Sequence, residues 1–171
     1  MPTNVEIKAR ISNIAELRAR AEALSGQPPR LLRQVDTFFN TSRGRLKLRV
    51  MGGGAAELIY YEREDGAGPR PSAYHRAPIS DPESLQKLLA AWLGIRGVVR
   101  KEREYFLAED TRIHLDQVDS LGSFLELEVM LAPGKPIAEG RSRAVALMKA
   151  LGVDERDLVD TAYIDLLARG A

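Results

Sequence analysis

Charged side chains recur two residues apart along this chain: Glu6, Lys8 and Arg10; Arg45, Lys47 and Arg49; Lys101 and Arg103; Arg112, His114 and Asp116; Glu126 and Glu128. Residues spaced by two share one face of a β-strand, so each set reads as a row of ions on one side of one strand. Arginine and lysine in such rows hold phosphate oxygens. Carboxylates hold Mg²⁺ or Mn²⁺, which bridges to the same phosphates. Together these residue types could bind a polyanion that arrives with a divalent cation, and a triphosphate fits both needs. Two plainer readings give the same pattern: charges pairing among themselves, or an antiparallel sheet with one wet face.

The elements that must carry these rows follow from periodicity and turn chemistry. Alternating strands are expected at 4–11, 33–40, 45–50, 57–64, 98–107, 111–118 and 124–131, the last two as a hairpin across Asp119 to Ser123. Their other faces are apolar: Val5 and Ile7; Leu46, Leu48 and Val50; Ile59 and Tyr61; Ile113 and Leu115; Leu125, Leu127 and Val129. Glu62 is expected on the charged side of its strand. Asn13 with Glu16 forms a capping box that opens a first helix, ended by Gly26. Asp81-Pro82 opens a second, with Leu85, Leu88, Leu89 and Trp92 on its apolar side. A third is expected from about Ser142 to Leu151 and a short fourth from about Thr161 to Leu167. Such helices bury their stripes against the apolar sheet faces and leave the charged faces over. Because a sheet of six to eight strands tends to curl or close, a barrel with a charged lumen follows.

Composition narrows the class. One domain covering 1–171 is expected from 171 residues that are 44% hydrophobic. The 25 basic and 24 acidic residues nearly cancel, which argues against a nucleic-acid wrapper or a membrane-surface binder. The absence of cysteine excludes disulfides, thiolate zinc sites and cysteine nucleophiles. No stretch reads as a signal peptide or approaches the roughly 20 apolar residues of a membrane helix, so a cytoplasmic protein is the expectation. Gly52-Gly53-Gly54 has no Lys-Ser/Thr after it and reads as a hairpin turn rather than a phosphate loop. His114 reads more readily as a histidine beside an acid than as a proton shuttle.

Taken in order, Asn4-Val5-Glu6-Ile7-Lys8, Gln34-Val35-Asp36-Thr37-Phe38-Phe39 with Gly44-Arg45-Leu46-Lys47-Leu48-Arg49, Leu58-Ile59-Tyr60-Tyr61-Glu62-Arg63, Arg100-Lys101-Glu102-Arg103, Arg112-Ile113-His114-Leu115-Asp116, Gly122-Ser123-Phe124-Leu125-Glu126-Leu127-Glu128 and Tyr163-Ile164-Asp165-Leu166-Leu167 resemble the blocks of the CYTH or triphosphate-tunnel superfamily. The resemblance is nearest to class IV adenylate cyclase-like proteins. It implies an α+β fold: a closed eight-stranded antiparallel β-barrel, the triphosphate tunnel, with helices packed outside. By position it implies Glu6, Glu126, Glu128 and Asp116 as metal ligands for Mg²⁺ or Mn²⁺. Lys8, Arg45, Lys47, Arg49, Lys101 and Arg103 are implied as triphosphate contacts, and Glu6, Lys8, Asp36 and Asp116 as catalytic residues. The family usually has glutamate where this chain has Asn4, a neutral carbonyl oxygen in place of a carboxylate. The implied activity is cyclisation of ATP to cyclic AMP and pyrophosphate. The alternatives are hydrolysis of inorganic or thiamine triphosphate, or noncatalytic binding of polyphosphate or nucleotide. A homodimer is a further expectation.

Overall fold

The computed structural model describes residues 3–63 and 68–170. Glu64, expected at the end of the fourth strand, lies outside them. Eight strands and four helices follow in the order β1 (Thr3–Arg10), α1 (Ile14–Ser25), β2 (Arg30–Phe39), β3 (Arg45–Met51), β4 (Ala56–Arg63), β5 (Arg70–Ile79), α2 (Pro82–Leu93), β6 (Ile95–Ala108), β7 (Thr111–Val118), β8 (Gly122–Met130), α3 (Ile137–Leu151) and α4 (Tyr163–Arg169). The strands close into an antiparallel barrel in the order β1-β5-β4-β3-β2-β6-β7-β8. In it β1 pairs with β5 on one side and β8 on the other.

Local chemistry sets the helix ends as the sequence implies. The Glu16 amide donates to Asn13 Oδ1 at 3.2 Å, and the Asn13 side chain returns a bond to Glu16 at 3.3 Å. The chain leaves α1 through Gly26 in the left-handed region, φ 68°, a conformation that glycine adopts without a Cβ penalty. Asp81 caps α2 by accepting from the Ser84 amide at 3.1 Å.

The alternation of each strand sorts its side chains between two environments. Val5, Ile7, Leu125, Leu127 and Val129 point outward under α1 and α3, where they meet Leu17, Ala21, Leu147 and Leu151. On the other side Phe39 and Leu48 pack against Leu89 of α2. A third cluster, Phe38, Val99, Phe124, Ala162, Tyr163 and Ile164, joins strand residues to the segment entering α4. Helix α3 sits unusually close to β1. A Cβ added to Gly140 would come within 2.8 Å of Val5 and 2.9 Å of Leu131. Gly140→Ala is therefore expected to lower stability by about 1–3 kcal/mol through overpacking, read as a shift in the denaturant midpoint; an unchanged midpoint would show that the helix can move away freely.

Four readings need correction. Strand β5 has no counterpart in the sequence analysis: Pro71 and Pro78 and the run Ser72-Ala73-Tyr74-His75 hide its alternation. In β4, Ile59 and Tyr61 line the lumen, while Glu62 bonds to Tyr60 and Arg43, on the same side as Leu58, which packs with the α2 cluster; the inner and outer faces are exchanged relative to expectation. Trp92 is 76% exposed, because α2 meets the barrel along Leu85, Leu89 and Leu93. Helix α3 begins at Ile137, five residues before the expected Ser142.

Candidate functional site

The barrel encloses a space of about 790 Å³, counted out to its mouth, lined by alternate residues of the strands. Seven basic side chains (Lys8, Lys47, Arg49, Arg76, Lys101, Arg103 and Arg112) and four acidic ones (Glu6, Asp36, Glu126 and Glu128) face it. Asp116 stands in the wall with 0% exposure. Among the described residues, basic groups therefore exceed acidic ones inside the barrel even with Asp116 included, although the whole chain carries only +1.

Two matching units organise the cations. On β2, Asp36 accepts from Lys47 Nζ at 2.8 Å and takes a bidentate contact from Arg49 at 2.7 Å for each bond. On β7, Asp116 accepts from Lys101 Nζ at 3.1 Å and takes a bidentate contact from Arg103 at 2.6 Å for each bond. In both units a Lys-x-Arg row on one strand straddles an aspartate directly across the ladder, Arg49 opposite Asp36 and Arg103 opposite Asp116. The bidentate fork fixes each guanidinium, and both arginines line the lumen. Burial pushes both aspartates up, but their cations outweigh it. Lys47 and Arg49 hold Asp36 well below the usual carboxylate range, and Arg103 with Lys101 brings Asp116 down to about 2. Burial and the nearby Arg49 pull the Lys47 ammonium down to about 7, against the opposing pull of Asp36.

The acids gather along β1, β7 and β8. Register places Glu6 opposite Glu128 and Lys8 opposite Glu126, with His114 opposite Glu126 and Arg112 opposite Glu128 across the next ladder. Glu126 meets Arg103 at 2.7 Å and Lys8 at 3.4 Å, and Glu128 meets Arg112 at 3.2 Å. His114 Nδ1 lies 3.8 Å from both glutamates, too far for a hydrogen bond, and is buried with no hydrogen-bond partner. Burial and the nearby Arg103 lower the His114 pKa, so the imidazole is neutral and keeps a lone pair. Burial raises Glu126 and Glu128, yet Lys8 and Lys101 hold Glu126, and Arg103 with Arg112 holds Glu128, in the ionised form. Donor atoms of His114, Glu126 and Glu128 lie within 4.8 Å of one another. A neutral imidazole and two carboxylates at that spacing fit a divalent cation.

One end of the lumen is filled by the chain itself. Lys8 Nζ donates to the Thr161 carbonyl at 3.2 Å and sits 3.9 Å above the Tyr163 ring. The Tyr163 hydroxyl donates to Asp116 at 3.1 Å; burial and the adjacent Asp116 carboxylate raise the phenol well above its ordinary value, so it stays a donor. Asp165 accepts from Arg45 at 3.0 Å and pairs with Arg96.

Of the residues the sequence singled out, Glu6, Lys8, Asp36, Lys47, Arg49, Lys101, Arg103, Glu126 and Glu128 converge on the lumen. Asp116 lies behind its cations, and Arg45 is engaged at the filled end. Tyr74, Arg76 and Ser72 of β5 and Tyr163 of α4 also line the space. Ser72 and Arg76 escaped with their strand, and Tyr163 because a helix residue is not sought inside a barrel. A signal for it was present in the block Tyr163-Ile164-Asp165.

Comparison with known proteins agrees with this architecture. A Pyrococcus horikoshii OT3 protein superposes with a TM-score of 0.85 at 25% identity, covering 95% of this chain and 98% of that one. A Vibrio parahaemolyticus protein provisionally titled an adenylate cyclase superposes with a TM-score of 0.80 at 22% identity, over 96% and 97% of the two chains. In sequence, a Methanocaldococcus jannaschii protein provisionally named an adenylate cyclase is 29% identical over 90 residues, 52% of this chain. That alignment spans about half the length of the relative, 51%. Among the described residues no helix is long and apolar enough to cross a membrane. The CYTH domain profile matches residues 2–163, nearly the whole chain, and with the closed eight-stranded tunnel around its charged lumen it places this chain in the CYTH family.

Proposed function

We propose that this protein is a divalent-metal-dependent enzyme acting on a triphosphate held in the barrel, and that its reaction is cyclisation of ATP to cyclic AMP and pyrophosphate. The observation that carries the reading is the excess of cations in the lumen beside a cluster with metal-ligand spacing. Desolvated cations in such excess favour a polyanion, and His114, Glu126 and Glu128 sit where its counter-cation would be needed. The name of the relative matched over half its length supports cyclisation over hydrolysis of thiamine triphosphate or tripolyphosphate.

In this reading Lys8, Lys47, Arg49, Lys101 and Arg103 bind phosphate oxygens, while Arg45 ties down the filled end through Asp165. Glu126, Glu128 and His114, with Glu6 across the β1 ladder, hold Mg²⁺ or Mn²⁺. The bound cation would supply charge neutralisation on the phosphate oxygens. Asp36 and Asp116 act through the cations they grip, fixing them before substrate arrives so that little reorganisation is required. The ribose hydroxyl and the α-phosphorus are brought in line by this fixed array. The ribose oxygen then bonds to the α-phosphorus, the bond from that phosphorus to the bridging oxygen breaks with its electron pair leaving on pyrophosphate, and the hydroxyl proton is taken up by the departing pyrophosphate. Turnover of ATP, thiamine triphosphate and tripolyphosphate, with cyclic AMP, pyrophosphate and orthophosphate read separately, tests this. Cyclic AMP with equal pyrophosphate from ATP is expected; orthophosphate alone would replace cyclisation by hydrolysis, and binding without any product would reduce the protein to a binder.

A pH signature follows from Lys47. Its ammonium is charged below about 7 in the free protein, and an adjacent polyanion favours the charged form and raises that value. Affinity is then full below about pH 7 and weakens as pH rises toward the raised value in the complex, with proton uptake on binding between. Titration calorimetry of tripolyphosphate at pH 8 in two buffers of different ionisation enthalpy is expected to show uptake of close to one proton more than in Lys47→Met. Equal uptake in both proteins would contradict the assignment.

A further inference from the structure

The inner row of β1 changes character along its length. Lys8 is held at the filled end by the Thr161 carbonyl, Glu6 follows opposite Glu128, and Asn4 ends the row uncharged. From Lys8 to Asn4 the strand advances about 13 Å at about 3.3 Å per residue, a span that three linked phosphates do not fill. Asn4 is 3% exposed, lines the lumen, and its Oδ1 is buried with no hydrogen-bond partner. Directly across the ladder stands Ser72, 2% exposed and also lumen-lining. Tyr74 comes next on the same face, with the Arg76 guanidinium 5.5 Å over its ring.

We propose that Asn4, Ser72 and Tyr74 form a neutral subsite for the organic end of the substrate, and that they make the lumen select a nucleoside triphosphate over inorganic tripolyphosphate. This rests on the triphosphate reading above and deepens it. A primary amide and a hydroxyl compete poorly with Lys-x-Arg rows for phosphate oxygens, and poorly with carboxylates for a divalent cation. They match a sugar hydroxyl, which both donates and accepts as they do. The face of Tyr74 beside the planar Arg76 is a platform on which a flat base can lie. A buried amide without a partner destabilises the empty fold, and a bound sugar hydroxyl supplies that partner.

The test is calorimetric titration of the full chain, with Mg²⁺, by tripolyphosphate and by a non-cleavable bismethylene analogue of ATP. Asn4→Ala is expected to weaken the ATP analogue roughly five- to tenfold, the value of one hydrogen bond to a neutral partner, while tripolyphosphate binding stays within twofold and the thermal midpoint does not fall. Ser72→Ala is expected to show the same selective loss. Equal losses for both ligands in both variants, or no loss for either, would overturn the subsite while leaving the triphosphate reading intact. A wild-type protein that binds neither ligand would remove that reading and the subsite with it. A thermal midpoint lowered in Asn4→Ala with unchanged ligand selectivity would assign Asn4 a structural role instead.

Discussion

Asp116→Ala is expected to unfold on the order of 10 °C below the wild-type protein at pH 7. The aspartate is fully buried and satisfies Lys101, both arms of Arg103 and the Tyr163 hydroxyl. Removing it takes the paired carboxylate from buried Lys101 and leaves buried Arg103 with Glu126 alone, a change that costs about 3–5 kcal/mol. For a chain of this size each kcal/mol moves the midpoint by about 2–4 °C. The sign of the pH dependence follows from the depressed carboxyl. Because Asp116 titrates at about 2 in the fold against about 3.9 in an unfolded chain, its contribution is complete above that unfolded value and disappears as pH falls through about 2. The wild-type advantage should therefore shrink between pH 4 and pH 2. Added tripolyphosphate should raise the midpoint of the variant more than that of the wild type, because it returns negative charge to the same two cations. A variant as stable as the parent at pH 7 would mean that the Lys101 and Arg103 charges are relieved by water or by some other carboxylate.

Glu128→Gln carries the second large effect. Glutamine keeps the volume and one carbonyl oxygen but removes the charge that, with Glu126 and His114, gives the cluster its affinity for a divalent cation. Turnover is expected to fall on the order of 100-fold or more, since disturbing even the outer partners of metal ligands costs 10–100-fold. The fold should survive, because the partner left behind, Arg112, is partly exposed at 21% and pairs with Glu128 at 3.2 Å, where water can replace the lost bond. The measurement is kcat at saturating triphosphate over a Mn²⁺ titration, with the melting curve as control. Unaltered kcat and an unaltered Mn²⁺ requirement would place the cation elsewhere.

The contrast between what the sequence reveals and what it hides has a physical origin. A strand whose two faces meet a charged lumen and an apolar helix layer writes its alternation plainly, and β1, β3, β7 and β8 were legible for that reason. Strand β5 faces the same lumen with Ser72 and Tyr74 and carries two prolines, so its alternation has no charge contrast to mark it. Exchanging the faces of β4 is the same effect: Ile59 and Tyr61 are apolar side chains inside a polar cavity, where Tyr61 packs against Phe38 and the segment entering α4. The functional roles of the acids were the least legible part. Asp36 and Asp116 read as ligands or catalysts along the chain, and their bidentate contacts with Arg49 and Arg103 are visible only in the fold. Trp92 fits an apolar helical stripe by spacing, yet spacing alone does not state how wide a stripe the barrel covers.

The position of β1 between β5 and β8 bears on how the protein is born. Emerging from the ribosome before the other seven strands, this strand finds one flank only when Arg70–Ala73 appear and the other only when Phe124–Met130 do. At about 5–20 residues per second, the second wait lasts roughly 6–25 s. During that interval Glu6 and Lys8 have no enclosure around them, and the ladder that brings Glu6 to Glu128 cannot form. Folding dominated by such distant pairings is slow, so a translation pause or truncation before residue 124 should release a nascent chain with an open sheet edge, a target for chaperones and for self-association rather than a partly working catalyst.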